Sequence, residues 1–318
     1  MKRMKRTIYL VAAFLLFLLS ANKSVAQYYF YNNSHYDSPL MFEFGASVGA
    51  MNCLTDVGGR SGLGKKFVKD LNMGNTQLNG SIYLTATYKE KFALRLEGSF
   101  GKIKAFDSIL SNVKDNSQGR YERNLSFQSK ISEISLVAEI HPLFIFVDWV
   151  SRDQEPPYFS PYLVGGIGFF SFNPQAKSRT GKFVDLQPLS LEGQGFAEYP
   201  TRKTYSLSQI NFPLGAGVRY ELSPSLNLRA EFLYRKLSTD YLDDVSTRYV
   251  DPSLFSSYLS GTQLQDALDL SSNQRTNNGP VSFQYRKSEG GIRGNPKNDD
   301  AYFTFNLKIG FTFGRESR

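Results

Sequence analysis

Residues 209–236 alternate apolar and polar side chains in two halves, residues 210–221 and residues 226–234, with Leu233 as an exception. Because side chains of a strand point to opposite faces with period two, each half is predicted to be a strand with one apolar and one polar face. Residues 223–225 (Ser-Pro-Ser) supply the turn between them. Each half has about ten residues, the length that a tilted strand needs to cross a bilayer. The pattern predicts a hairpin of a transmembrane barrel; the alternative is a long ribbon in a soluble β-sandwich.

The same alternation recurs in six further segments, which are residues 41–50, 78–88, 92–100, 125–141, 161–172 and 301–313. The chain is therefore predicted to be all-β, with about eight antiparallel strands, an even number of the kind that closes an outer-membrane barrel. The connections after the second and sixth strands are short, and those after the first, third, fifth and seventh are long. This alternation is typical of short periplasmic turns and long outer loops.

Two connections depart from this plan. Residues 142–160, after the fourth strand, contain the apolar run LFIFVDWV, which we interpret as a strand extension or an interfacial segment. Residues 237–300 form an insertion that is too long for a structureless loop unless it is functional. Within it, a helix is predicted around residues 253–270, started by Pro252.

The N-terminus predicts export. Residues 1–26 have a basic start, an apolar stretch over residues 8–19 and small residues before Gln27, as in a secretory signal peptide. Residues 27–40 are an N-terminal lead-in, residues 41–313 the barrel and residues 314–318 a short tail. No later apolar run approaches about 18 residues, so a membrane-embedded mature chain is predicted to be a barrel.

Charge and composition narrow the function classes. Residues 1–26 hold five Lys or Arg and no acid, so their removal lowers the formal charge from +8 to +3. Nucleic-acid binding then has no compositional support. Cys53 is the only cysteine, which excludes an intrachain disulfide. Aromatic residues at 14% with a mean hydropathy of −0.33 suit a barrel with a polar lumen and polar loops.

Charged residues on the polar faces of the strands are expected to point into the lumen. They are Glu43, Arg95, Glu97, Glu133, Glu139, Arg219, Glu221, Arg229, Glu231, Arg235 and Lys308. One interpretation is a proton or ion path, or a pair of carboxylates for acid–base work. The other, which the near balance of acids and bases favours, is a mutually neutralising network that plugs the lumen, since buried charges must be paired.

Enzymatic chemistry has little support in the sequence. His35 and His141 are the two histidines, and His141 is expected at a membrane interface. The chain contains no nucleophile-elbow, zinc-protease or Cys/His motif, so we expect a non-enzyme without a cofactor. Asp240, Asp243, Asp244 and Asp251 offer oxygen ligands for calcium, but they lack EF-hand spacing, and no metal is predicted.

Three segments carry a resemblance to a known family: residues 54–59 (LTDVGG), 239–246 (TDYLDDVS) and 293–300 (RGNPKNDD). With the intervening strands they resemble the PorG-like outer-membrane β-barrels associated with type IX secretion. The resemblance implies a non-enzymatic barrel that associates with the periplasmic PorK–PorN ring and with PorM. The chain departs from the usual pattern in continuing five residues beyond Phe313.

The function hypotheses follow from these observations. The first is a structural protein that anchors a secretion machine in the outer membrane, among outer-membrane lipids. The alternatives are a small transport or ligand-binding barrel and an outer-membrane enzyme that uses His141. Residues proposed to contact a partner are Tyr241, Leu242, Asp243, Asp244, Arg293, Asn295 and Asp56. Loop packing is the competing interpretation, with Tyr241 and Leu242 on the barrel rim and the aspartates accepting hydrogen bonds from backbone amides.

Overall fold

The computed structural model describes residues 39–58, 73–110, 118–147, 157–178, 180–271, 290–297 and 299–313. The predicted signal peptide, nearly all of the lead-in and the tail at residues 314–318 lie outside this part. The described strands are β1 (Leu40–Leu54), β2 (Gln77–Tyr88), β3 (Phe92–Phe106), β4 (Ser126–Ile140), β5 (Phe159–Lys177), β6 (Phe183–Asp185), β7 (Ser208–Ser223), β8 (Leu226–Leu237) and β9 (Ala301–Phe313).

Eight of these strands close into an antiparallel barrel. The pairing runs β4-β3-β2-β1-β9-β8-β7-β5, and β4 pairs with β5 to complete the ring. The terminal strands β1 and β9 pair from Phe42↔Phe313 to Leu54↔Ala301. The short strand β6 extends one edge of β5. The sequence prediction of an eight-stranded antiparallel barrel is confirmed.

An apolar belt covers the outside of the barrel. About half of the side-chain surface is exposed at each of its positions, which include Phe44, Leu84, Leu96, Leu136, Phe169, Leu214, Leu307 and Phe311. The intervening residues point into the lumen, as the period of two requires. Leu233, the exception in the sequence pattern, faces inward and is buried.

Three strands are longer than the sequence predicted, because their polarity inverts beyond the belt. Residues 101–106 and 173–177 were expected to be loop, yet they continue β3 and β5. In these extensions apolar side chains such as Ile103 and Ala176 point inward, and lysines and amides point outward. β1 likewise continues to Leu54, with Met51 buried inside. A prediction that relies on outward-facing apolar residues therefore ends these three strands too early.

The two ends of the barrel differ. At one, here called the turn end, tight turns join β2 to β3 and β7 to β8. Lys89 and Glu90 both have positive φ, the geometry of a two-residue hairpin turn. The connection from β4 to β5 also lies here; its described part is a short helix, α2 (Pro142–Phe146), rather than the strand extension we considered. Within this helix, the Phe144 side chain is buried and Phe146 is 84% exposed.

At the other end, the loop end, long segments pack onto an apolar core inside the barrel mouth. Its elements include α1 (Gln118–Arg123), before β4, and α3 (Phe255–Tyr258) and α4 (Gly261–Ser271), within the 237–300 insertion. As predicted, Pro252 starts the helical segment, here with a 3-10 turn. The Asp251 side chain caps this turn by accepting from Ser253 N at 2.9 Å. The predicted helix is interrupted at Leu259 and Ser260. The core contains Met51, Ile103, Phe127, Ile131, Phe170, Phe172, Leu242, Val245, Phe255, Ala267 and Tyr302.

Among the described residues, no helix combines the length and the apolar character that a bilayer-spanning helix needs.

Candidate functional sites in the lumen and the cap

A network of buried charges spans the lumen at the level of the apolar belt. Its members, named here the lumen network, are Glu43, Arg95, Glu97, Glu133, Glu139, Arg229, Glu231, Arg235 and Lys308, each at most 3% exposed. They come from β1, β3, β4, β8 and β9, so the ion pairs cross from wall to wall. Since the five carboxylates face four cations, their charges nearly cancel.

Arg95 occupies the centre of the lumen network. Its three guanidinium nitrogens approach Glu97 at 3.0 Å, Glu139 at 2.6 Å and Glu231 at 2.7 Å. Lys308 Nζ links two of the same carboxylates, at 2.7 Å from Glu97 and 2.9 Å from Glu231. Each cation thus has several acceptors, which offsets part of the cost of burying it.

Arg229 and Arg235 extend the lumen network toward the two ends. Arg229 forms a bidentate pair with Glu43, at 2.8 and 2.9 Å, and contacts Glu139 at 2.8 Å. Arg235 contacts Glu133 at 2.6 Å. Tyrosine hydroxyls donate to carboxylate oxygens that the arginines also contact: Tyr83 to Glu43, Tyr162 to Glu231 and Tyr302 to Glu133. Paired charges and rings together fill the space through which a solute would pass.

Two predicted lumen residues lie at the turn end. Arg219 is buried and pairs with Glu90, whose side chain enters from the β2–β3 turn. Glu221, near the end of β7, keeps the inward phase, since Tyr220 and Leu222 on either side of it are about half exposed, but it is only partly buried there.

His141 lies in the lumen, not at a membrane interface as we expected. It is fully buried, with Nδ1 3.0 Å from Ser160 Oγ and Nε2 3.4 Å from Glu139. These residue types can support nucleophilic catalysis. Here Ser160 is 1% exposed, and Glu139 is held by Arg95 and Arg229. The arrangement gives a substrate no access to the serine.

The second site is the cap, defined as residues 55–58, 186–207, 238–271, 290–297, 299 and 300 at the loop end. Here the three segments that carry the family resemblance meet. Val57 N donates to Asp243 Oδ2 at 2.9 Å, and Asn295 N donates to Asp56 Oδ2 at 2.6 Å. Leu242 N donates to Asp300 Oδ2 at 2.9 Å. Residues separated by up to 239 positions in the chain are therefore joined directly.

Arg293 and Glu192 hold the centre of the cap. Arg293 Nη1 contacts Glu192 Oε1 at 3.0 Å and also donates to the backbone carbonyl of Asp244. Glu192 accepts from the amides of Ser246 at 3.0 Å and Thr247 at 2.8 Å. A second arginine, Arg123 of α1, donates to the Asp56 and Arg293 carbonyls and pairs with Asp107. The cap is therefore an ordered structure held by charge-assisted hydrogen bonds.

The cap buries most of the residues proposed as a partner surface. Leu242, Asp243, Asp244 and Arg293 are each at most 2% exposed, so in this arrangement a partner cannot reach them. Leu242 packs in the core, Asp243 accepts from the amides of Val57 and Val245, as the loop-packing interpretation has it, and Asp244 accepts from the Tyr205 hydroxyl. Tyr241 is partly exposed and stacks on Tyr205 with ring centroids 4.8 Å apart. Asn295 is exposed and Asp56 partly exposed. A partner contact at these three residues stays a prediction.

Burial raises the pKa of five carboxyl groups in the cap. It raises the pKa of Asp244 to about 7, against the attraction of the Arg293 guanidinium. It raises the pKa of Asp56 to about 6 and that of Asp240 to about 9. Burial and the nearby Asp56 carboxylate raise the pKa of Asp243, and burial with Asp243 and Asp240 raises that of Asp300. In the described part of the chain, no group of acids, histidines or cysteine has the geometry of a metal site.

Sequence reasoning missed Glu192, Asp107, Arg123 and Asp300, which lie in segments without alternation. Asp300 belongs to the RGNPKNDD segment, and that membership was the available signal. The other three are single charges in polar loops, which the sequence does not distinguish from solvated ones. Beneath the cap, a cavity of about 20 Å³ lined by Val57, Asp243 and Arg293 has room for about one water molecule.

No protein-family model matches the sequence, and no curated protein matches it. Among solved structures, the chain is similar to Ail, the attachment invasion locus protein of Yersinia pestis, at 10% identity and a TM-score of 0.35, covering 86% of this chain and 99% of that one. It is also similar to the N-terminal β-barrel domain of Pseudomonas aeruginosa OprF, at 9% identity and a TM-score of 0.31, covering 87% and 98%. It is similar as well to Neisserial surface protein A, at 10% identity and a TM-score of 0.35, covering 86% of this chain and 96% of that one. The fold assignment rests on the strand pairing itself.

Proposed function

We propose that this chain is an outer-membrane β-barrel with a structural role, anchoring the type IX protein secretion machinery through the PorK–PorN ring and PorM. The observation that carries the structural part is an apolar belt around a lumen closed from wall to wall by ion pairs. A non-enzymatic anchor needs a stable, lipid-embedded body and no passage.

The belt supports membrane embedding. On β3 the exposed apolar residues run from Phe92 to Phe100, which is about 27 Å of strand at about 3.4 Å per residue. Tilted by about 35–45°, this length covers about 20 Å along the barrel axis, which is most of an apolar band of about 25 Å. A soluble barrel would leave this much apolar surface in water on all sides, at a large cost in hydrophobic free energy. Export through the predicted signal peptide fits the same location.

The lumen argues against transport. An eight-stranded barrel has an interior just wide enough to be filled by side chains. Here Arg95, Arg229 and Lys308 bridge opposite walls, and the cap covers the loop end. A reconstituted planar bilayer is expected to show no discrete conductance steps. Stepwise conductance would favour the small transport barrel instead.

The secretion assignment is supported by the resemblance alone. The cap gives it a structural context, because the three segments behind the resemblance come from two different loops and form one contact cluster. A chain that shares these segments is therefore expected to share the cap.

Affinity purification tests the partner assignment. The mature chain, tagged in the 272–289 segment, would be captured from detergent extracts of cells that encode the secretion machinery. The ring proteins and PorM are expected to co-purify, and an unrelated barrel with the same tag is the control. Capture of the folded barrel with none of these components would contradict the anchoring role.

A further inference from the structure

The outer wall of β3 and β4 changes from apolar to cationic over one step beyond the belt. On β3, Phe100 is the last outward residue of the belt and Lys102 is the next outward residue. β4 runs in the opposite direction, so its outward residues, taken toward the loop end, are Ile134, Ser132 and Lys130. The register pairs Phe100 with Ser132 and Lys102 with Lys130, and Lys104 follows on β3. Lys102, Lys104 and Lys130 are named here the cationic patch.

The cationic patch places like charges side by side on one wall of the barrel. Lys102 and Lys130 are direct cross-strand partners, so their Cβ atoms are about 5 Å apart, a placement in which like charges are destabilising. Among the described residues, none of the three ammonium groups forms an ion pair. The next outward neighbours, Gln128, Asn173 and Gln175, are uncharged.

An acid on the same wall hydrogen-bonds to amide side chains and forms no ion pair with the described lysines of the patch. Asp185 of β6 accepts from Asn173 Nδ2 at 3.0 Å and from Gln175 Nε2 at 2.7 Å. The β5–β6 hairpin contributes an aromatic ring instead, because Lys102 Nζ lies 5.9 Å from the centre of the half-exposed Phe183 ring. Three cations and an apolar ring thus face outward together, and no carboxylate of the described residues pairs with the cations.

The height of the patch indicates its ligand. Outward residues on a strand are about 7 Å apart, so Lys102 and Lys130 begin about 7 Å beyond the edge of the belt. If the belt marks the hydrocarbon layer, lysine side chains there reach the level of lipid phosphates. We propose that the cationic patch binds the phosphate of an anionic lipid headgroup in the surrounding leaflet. This inference rests on the proposed membrane embedding of the barrel.

Native mass spectrometry of the mature chain tests the proposal. The chain would be refolded in neutral detergent and offered phosphatidylglycerol or phosphatidylcholine with the same acyl chains. Wild type is expected to retain phosphatidylglycerol preferentially. The Lys102→Gln/Lys130→Gln variant is expected to retain it at least about tenfold more weakly, because each basic residue near a lipid surface contributes about fivefold. Lys203→Gln/Lys297→Gln removes the same charge from two exposed lysines of the cap and is expected to behave as wild type.

The outcomes separate this inference from the proposed function. If the wild type is heat-modifiable and inserts into vesicles, but both variants lose phosphatidylglycerol equally or not at all, the headgroup site is wrong. Displacement of the lipid by inorganic phosphate alone at equal concentration would also overturn it, in favour of a free-phosphate site. Failure of the wild type to insert into vesicles would instead contradict membrane embedding. Circular dichroism checks that each variant folds.

Discussion

Single buried charges determine whether the lumen is stable. Arg95 is fully buried and contacts three carboxylates on three strands, at 2.6 to 3.0 Å. A guanidinium in this position exchanges its hydration for fixed acceptors, and the exchange is favourable only while the acceptors stay complementary. The same balance applies to Arg229 and Arg235. The sequence pattern placed these residues inward, but which carboxylate each one meets depends on barrel closure.

Replacing Arg95 tests this balance. Arg95→Met keeps much of the side-chain volume but leaves Glu97, Glu139 and Glu231 with less positive charge nearby. We expect a loss of about 3–5 kcal/mol in unfolding free energy, as for other buried pairs from which one partner is removed. Urea unfolding in detergent micelles measures it. Lys89→Met, at the exposed β2–β3 turn, is the control, and a loss below about 1 kcal/mol for Arg95→Met would contradict the account.

Gly294 is a second sensitive position, because two segments of the cap approach its backbone closely. A Cβ built on Gly294 would lie 2.6 Å from Asp56 Oδ2 and 2.7 Å from the Ser246 backbone. Gly294→Ala is therefore expected to loosen the cap without opening the barrel. Hydrogen exchange should accelerate in residues 239–246 and stay unchanged in β1 to β4. Gly98→Ala, whose Cβ would meet only Ile82 at 3.9 Å, is the matched control; equal exchange in both variants would argue against the close approach.

At the scale of elements, the cap is expected to respond to pH. Burial raises the pKa of Asp56 to about 6 and that of Asp244 to about 7, so the folded cap binds protons more tightly than the unfolded chain. Their contribution to stability is complete below the ordinary aspartate pKa of about 4 and is lost as pH rises through 6 and 7. The cap should accordingly be more protected at pH 5 than at pH 8.

Exchange protection factors for residues 239–246, corrected for the intrinsic pH dependence of amide exchange, provide the measurement. Asp244→Asn is expected to flatten the profile, because it removes one of the shifted carboxyl groups. Asparagine also tolerates the positive φ of 62° at this position. Protection factors that rise from pH 5 to pH 8, or a pH dependence of protection that Asp244→Asn leaves unchanged, would contradict the burial argument.

The strands show how far sequence reasoning reaches. Outward apolar and inward charged positions were predictable within the belt, because lipid and lumen impose opposite polarity on alternate residues. Beyond the belt the environment reverses: water lies outside and the apolar core lies inside. Ile103 therefore occupies an inward position, and the expected end of β3 at Phe100 was set by polarity instead of by pairing, which continues to Phe106.

The cap lies mostly beyond what the sequence can show. Its helix was placed near residues 253–270, and the structure puts α3 and α4 there. Its contacts were not predictable, since Val57–Asp243 and Asp56–Asn295 join residues 186 and 239 positions apart. Such pairings depend on which loops the closed barrel brings together at one mouth.

At the scale of the whole molecule, the interior of the barrel has two levels of opposite polarity along its axis. The belt level is filled by the lumen network, and the loop end is filled by an apolar core on which the cap rests. This division follows from the surroundings proposed for each level. Within lipid the outside is apolar and the inside can be charged, whereas beyond lipid the usual arrangement of a water-soluble protein returns.

Spin-label accessibility tests the lipid contact of the belt most directly. Nitroxides would be attached at Leu96→Cys, Leu136→Cys and Leu307→Cys in a Cys53→Ser background, with Gln128→Cys above the belt on β4 as the control. In vesicles, the three belt labels are expected to collide with oxygen and to be shielded from a water-soluble nickel complex, while the control shows the reverse. Belt labels that are as accessible to the nickel complex as the control would show that water, and not lipid, surrounds the barrel.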